Sequence, residues 1–180
     1  SDAYLSVIEA VKYSAYMQNK KPVISWINSV DLEKNPVKIK ELKKYDGIVV
    51  PGGFGARGVE GKIKAIKFAR ENKIPYFGLC YGMQLLVIEY ARNVLGLKDA
   101  NTREIDPNSK NLVVDIRESQ KELLDNNNYG GSMRLGNYTA VLGKNTLAEK
   151  AYNKTEIVER HRHRYEVNNA YVENLEKKGL

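Results

Sequence analysis

A chain of 180 residues with 42% apolar and 28% charged side chains has the length of one domain and enough apolar surface to bury a core, which excludes wholesale disorder. No apolar run reaches the roughly 18–20 residues that cross a bilayer, and residues 1–10 carry no export signal, so a cytoplasmic protein with no membrane partner is expected. The single cysteine, Cys80, excludes an internal disulfide, and with only two histidines no metal site is expected.

The net charge of +7 comes from 29 basic and 22 acidic residues, and residues 51–80 hold six of the bases against two acids. Lys62, Lys64, Lys67 and Arg70 alternate with Ile63, Ala65, Ile66 and Ala69 at helical spacing, which reads as the solvated face of an amphipathic helix. No nucleic-acid motif accompanies the charge, so no nucleic-acid partner is expected, whereas an anionic nucleotide or an acidic domain is compatible with it.

In chain order, residues 3–17 carry apolar side chains at helical spacing behind a Ser1-Asp2 capping pair. Residues 22–27 are β-branched and aromatic and read as a buried strand; residues 38–44 read as helix and 46–50 as a second buried strand. The basic-faced helix spans 59–72, a strand 74–79, and a helix 82–94 with Met83, Leu86, Val87 and Tyr90 on one face. This alternation predicts an α/β fold with a mostly parallel central sheet flanked by helices. After Leu97 short strands at 111–116, 137–142, 156–159 and 165–168, with a helix at 146–152, predict an additional antiparallel β-rich part. Residues 125–131 read as a polar surface loop, and a helix at 171–178 is stopped by Gly179. No repeat or long linker divides the chain, so residues 1–180 are taken as one domain.

The chemistry concentrates at Gly78-Leu79-Cys80-Tyr81-Gly82, where an apolar strand meets an amphipathic helix. A nucleophile on such a strand-to-helix turn needs small residues two places either side, because larger ones would crowd the sheet and helix beneath it. The N-terminus of the following helix favours thiolate over thiol. A buried packing cysteine is the alternative, and the flanking glycines argue against it. Acyl transfer also needs oxyanion donors, and Pro51-Gly52-Gly53-Phe54-Gly55 follows the neighbouring strand with backbone free to turn an amide toward the reacting carbon. The same loop would suit a phosphate, but the Lys-Ser or Lys-Thr of a P-loop is missing.

Pro51-Gly52-Gly53-Phe54-Gly55, Cys80-Tyr81-Gly82-Met83-Gln84, Gly131-Ser132-Met133-Arg134-Leu135-Gly136 and Glu159-Arg160-His161-Arg162-His163-Arg164-Tyr165-Glu166-Val167-Asn168 together resemble the glutaminase domain of the CTP synthase family, a class I glutamine amidotransferase. The resemblance runs from Asp2 to the end of the sequence. It implies that Cys80 attacks the glutamine side-chain amide, forms a γ-glutamyl thioester and releases ammonia to an amidoligase domain of the same polypeptide, which aminates ATP-activated UTP to CTP. By motif position it implies that Gly53 and Tyr81 donate to the oxyanion, that Gly82, Met83 and Gln84 line the glutamine site, that Glu104 meets the substrate ammonium and that Arg164 meets its carboxylate. It implies no cofactor in this domain, ATP and Mg2+ in the amidoligase domain, a homotetramer in the full enzyme, and an effector loop with Arg57, Gly58 and Glu60 available to GTP.

Two departures matter. Tyr81 stands where the family commonly has Leu, which leaves the backbone role intact and changes the pocket wall. The family's catalytic His and Glu lie in a His-Pro-Glu motif that does not occur in these 180 residues, and its first strand precedes Asp2, so the expectation is a domain incomplete at both ends. His161 and His163 are not expected to replace the missing base, because arginines flank both. The competing readings are a non-catalytic glutamine-binding module and another elbow-cysteine γ-glutamyl hydrolase.

Overall fold

The computed structural model describes residues 2–116 and 133–180. After a 3-10 turn at Asp2–Tyr4, α1 (Leu5–Met17) has Tyr4 as its cap residue, whose side chain makes no capping hydrogen bond; the expected Ser1-Asp2 pair lies outside the residues whose side chains are described. Helices α2 (Ser29–Lys34) and α3 (Pro36–Lys40) follow, the first capped by Asn28 and the second by Asn35, whose side chains accept from the amides two residues on. Strand β1 (Ile48–Val50), helix α4 (Val59–Glu71), strand β2 (Tyr76–Gly78) and helix α5 (Tyr81–Asn93) then form the strand–helix–strand–helix unit that the alternation predicts.

Strands β1 and β2 pair in parallel, with Ile48 opposite Tyr76 and Val50 opposite Gly78. In the second half β3 (Asn101–Thr102), β4 (Leu112–Asp115) and β7 (Glu166–Val167) make a mixed sheet, β3 parallel and β7 antiparallel to β4. An antiparallel hairpin joins β5 (Arg134–Val141) to β6 (Glu156–His163), with α6 (Leu147–Tyr152) in its connection and Thr146 as that helix's cap. Helix α7 (Asn169–Lys177) closes the described chain, and Gly179 after it takes a positive φ of 100°. The loop expected at 125–131 lies outside the described residues.

Three expectations are corrected. Residues 22–27 form no strand and are largely exposed, Val23 at 84% and Trp26 at 61%. A strand needs a neighbouring backbone to satisfy its amides and carbonyls; β1 pairs with β2, and residues 23–29 stand off from it across a groove of about 490 Å3 that they line together with α1 and β1. The buried face of α5 is also rotated in part from the one expected: Val87 is buried as expected, together with Tyr81, Leu85 and Ile88, whereas Met83 is exposed and Leu86 and Tyr90 are only partly covered. Finally, the basic face of α4 is not uniformly solvated. The Lys62 ammonium lies 5.4 Å from the centroid of the Tyr81 ring, and Arg70 reaches across to the fully buried Glu89.

The core sits between α4, α5 and β4. Ile63 and Ile66 of α4 and Leu85 and Ile88 of α5 meet Val113 and Val114 of β4, with Leu175 of α7 at one side. This packing holds the two helices that flank the turn at residue 80. Among the described residues, no helix is long and apolar enough to cross a membrane.

Candidate active site

Cys80 is the hinge between β2 and α5. Its backbone has φ 51° and ψ −102°, a left-handed conformation that an L residue adopts only when the surroundings impose it, and the side chain is exposed. Both flanking glycines are sterically required. A Cβ on Gly78 would stand 2.6 Å from the Gly82 carbonyl carbon and the Met83 nitrogen, and one on Gly82 would stand 2.1 Å from the Val50 carbonyl oxygen. The first turn of α5 is pinned by Gly82 N–H donating to the Leu79 carbonyl at 2.9 Å and Gln84 N–H to the Cys80 carbonyl at 3.1 Å. Beneath it, the Tyr76 hydroxyl donates to the Gly82 carbonyl at 2.8 Å, and burial pushes this phenol's pKa up.

The glycine loop lies directly against the turn. A Cβ on Gly52 would come within 3.6 Å of the Cys80 Cβ, and one on Gly53 within 3.6 Å of the Tyr81 ring. Gly55, at φ 76°, is held at both ends of its residue: its N–H donates to Glu104 Oε1 at 2.8 Å and its carbonyl accepts from the Tyr81 hydroxyl at 2.6 Å. As the first residue of α5, Tyr81 has a backbone N–H with no acceptor inside the helix, at the positive end of the helix dipole.

Glu104 follows β3, where its N–H donates to Thr102 Oγ1 at 3.3 Å. Its neighbour Arg103 forms a bidentate pair with Asp115 on β4, fixing the strand end that carries Glu104. Gln84 is buried, and its Nε2 donates to the Tyr165 carbonyl at 2.9 Å, so α5 is tied to the segment that carries Arg164. Burial pushes the Tyr165 phenol up, Glu104 pushes it the same way, and Arg164 and Arg103 oppose both. The acid and the arginine singled out in the sequence therefore both act on Tyr165. Among the described residues Arg164 Nε is buried without a hydrogen-bond partner, a donor that suits an acidic group.

Not all the singled-out residues join this cluster. Gly58 caps α4 at φ 71°, where a Cβ would clash with Ser29 Oγ at 2.2 Å. Glu60 accepts from Arg92 Nη1 at 2.9 Å on the helix surface, and Arg57 is exposed. His161 Nδ1 and His163 Nε2 stand 2.8 Å apart on one face of β6, beside the Tyr138 ring. Burial is the main influence lowering the His163 pKa; His161 and Arg134 add to it and Glu166 opposes it. Two contributors escape sequence reasoning: the Tyr81 hydroxyl and the Arg103–Asp115 pair. The only signal for the first was a phenol at an apolar position, since a buried hydroxyl needs a partner; the pair left none.

The comparisons with known proteins agree with this geometry. The family model described as glutamine amidotransferase class-I matches residues 1–180. The CTP synthase of Sulfolobus acidocaldarius is 53% identical over 179 residues, covering 99% of this chain and 33% of that protein. The CTP synthase of Carboxydothermus hydrogenoformans is 55% identical over 179 residues, again 99% of this chain and 33% of that protein. The chain thus spans about a third of the length of these curated relatives. The solved structure of the Trypanosoma brucei CTPS glutaminase domain with bound acivicin matches with a TM-score of 0.90 and 41% identity, over 99% of this chain and 67% of that one. With its whole length matched by the family model, the chain belongs to the class I glutamine amidotransferases.

Proposed function

We propose that this chain is the glutaminase part of a CTP synthase, releasing ammonia from glutamine through a thioester on Cys80. The observation that carries this reading is the strained turn at Cys80, φ 51°, with Gly52 so placed that a Cβ on it would stand 3.6 Å from the Cys80 Cβ. A nucleophile held proud of a strand-to-helix turn, beside a helix N-terminus and a glycine loop that can offer backbone donors, is built for acyl transfer. The relatives' identity as CTP synthases supports the narrower assignment.

In the proposed reaction the Cys80 sulfur attacks the side-chain amide carbon, and the oxyanion that forms accepts from the N–H groups of Tyr81 and Gly53. Collapse breaks the C–N bond, ammonia leaves with a proton supplied by a general acid, and water then hydrolyses the thioester to glutamate. Gly82, Met83 and Gln84 line the substrate site, Glu104 holds its ammonium and Arg164 its carboxylate, an ion at each end of a zwitterion. The family's His-Pro-Glu motif, beyond residue 180, would supply the base and its orienting acid. Ammonia would pass to the amidoligase domain of the same polypeptide, where ATP and Mg2+ act on UTP. A homotetramer, a cytoplasmic location and GTP as effector belong to the same proposal; exposed Arg57 is the residue of its loop offered to that anion.

The test uses the full-length enzyme with two nitrogen donors. Cys80→Ala should abolish CTP formation from glutamine and leave formation from ammonia intact. Glu104→Ala and Arg164→Ala should raise the glutamine KM, because removing one partner of a buried charged contact costs about 2–5 kcal/mol. Parallel loss of both nitrogen-donor activities in these variants would sink the assignment.

A further inference from the structure

We propose that the Tyr81 hydroxyl is the positioning group of the oxyanion loop, holding Gly55, and through it Gly53, in place beside Cys80 when substrate occupies Glu104. This rests on glutamine being the substrate of the site. Gly55 has two tethers, the Glu104 carboxylate on its N–H at 2.8 Å and the Tyr81 hydroxyl on its carbonyl at 2.6 Å. The two differ in fate. Glu104 is the acid assigned to the substrate ammonium, and a cation competes for that carboxylate better than a neutral amide does. The carboxylate then divides its acceptors between substrate and loop, whereas the tether to Tyr81 is untouched.

Tyr81 is suited to that load. Its ring is 1% exposed, lies under Gly53 and has the Lys62 ammonium 5.4 Å from its centroid. Burial pushes the phenol's pKa up, with Glu104 adding to it, so the hydroxyl stays a donor throughout the physiological range. The same residue carries, on its backbone, the N–H next to the nucleophile. One residue thus supplies one oxyanion donor directly and sets the place of the other through its side chain. The device is a division of labour: the substrate weakens one tether of the loop by sharing its carboxylate, and the hydroxyl, which the substrate does not share, retains the catalytic geometry.

Tyr81→Phe removes the hydroxyl and keeps the ring. In the full-length enzyme the glutamine-dependent kcat should fall about tenfold, less than the ~10²–10³ lost when an oxyanion donor is removed outright. The glutamine KM and the ammonia-dependent rate should be unchanged. A second readout is hydrogen exchange of residues 51–56 in the Cys80→Ala background, with and without L-glutamine. Glutamine should accelerate exchange there in Tyr81→Phe and not in its Tyr81 parent. A raised KM at unchanged kcat would assign the hydroxyl to substrate binding and overturn the proposal, as would kinetics equal to wild type or loss of ammonia-dependent activity. Wild-type enzyme that made no glutamate would instead overturn the functional reading, and this one with it.

Discussion

Holding Cys80 at φ 51° and ψ −102° sets function against stability within one residue. A non-glycine residue in such a region costs on the order of 1–3 kcal/mol, and the surroundings enforce it here because Gly82 leaves no room between α5 and the Val50 carbonyl for the turn to relax. Replacing Cys80 by Gly removes the strain, while the greater freedom of glycine in the unfolded chain returns roughly 0.5–1 kcal/mol of it. Cys80→Gly should therefore raise the unfolding free energy by about 1 kcal/mol in urea titration while eliminating glutamine-dependent activity. A destabilised Cys80→Gly protein would mean that the conformation at residue 80 carries no strain. The glycine spacing around Cys80 was legible in the sequence for the same steric reason. The placement of Glu104 and Arg164 was not, because it depends on β3 and on the segment before β7 converging from distant parts of the chain.

At the scale of elements, α4 and α5 owe their alignment to a charge as well as to packing. Glu89 is 0% exposed on α5, and Arg70 of α4 meets it through Nε at 3.0 Å and Nη2 at 2.8 Å. Asn93 Nδ2 adds a donor at 3.1 Å, so the carboxylate is hydrogen-bonded from two sides. The Arg70 side chain is 30% exposed, so the desolvation of the pair falls mainly on the acid. Removing the arginine strands a buried carboxylate, which typically costs 3–5 kcal/mol, whereas replacing both groups by apolar ones of similar volume is often nearly neutral. Arg70→Met should accordingly lower the unfolding free energy by about 3 kcal/mol or more, and the Arg70→Met, Glu89→Leu pair should recover most of it. A double variant no more stable than Arg70→Met would show that the pair itself, rather than the stranded acid, is what matters. Helical periodicity located both helices within a residue or two, yet of the four residues it put on the apolar face of α5 only Val87 is in the core, because Tyr81, Leu85 and Ile88 turn inward instead.

For the whole molecule, the alternation of strands and helices made the α/β class legible, because β1, α4, β2 and α5 are each closed by local turn chemistry and an apolar stripe. Residues 22–27 were misread because composition reports what suits a sheet and not whether a partner edge is present. The candidate site was half legible, because the turn and the glycine loop are local signals. The chain's two histidines, 2.8 Å apart on β6, occupy each other, and the buried surroundings of His163 favour its neutral form. They sit in a hairpin braced by Arg134, which donates to Glu166 Oε2 at 3.0 Å and stacks 3.9 Å from the Tyr138 ring centroid. On the proposed reading such a pair serves structure rather than the sulfur. Loss of a general acid or base typically removes about 10²–10⁴ in rate. A polypeptide of these 180 residues should therefore alkylate at Cys80 with a glutamine-like electrophile while producing glutamate at least 10²-fold more slowly than the full-length enzyme. Extending it through the His-Pro-Glu motif should restore turnover, and His161→Ala or His163→Ala in the extended protein should leave the rate of thioester formation within about threefold of its parent, since neither supplies the 10²–10⁴ of a general base. Steady glutamate production by the 180-residue chain that disappeared with either histidine would identify that residue as the base and overturn the assignment.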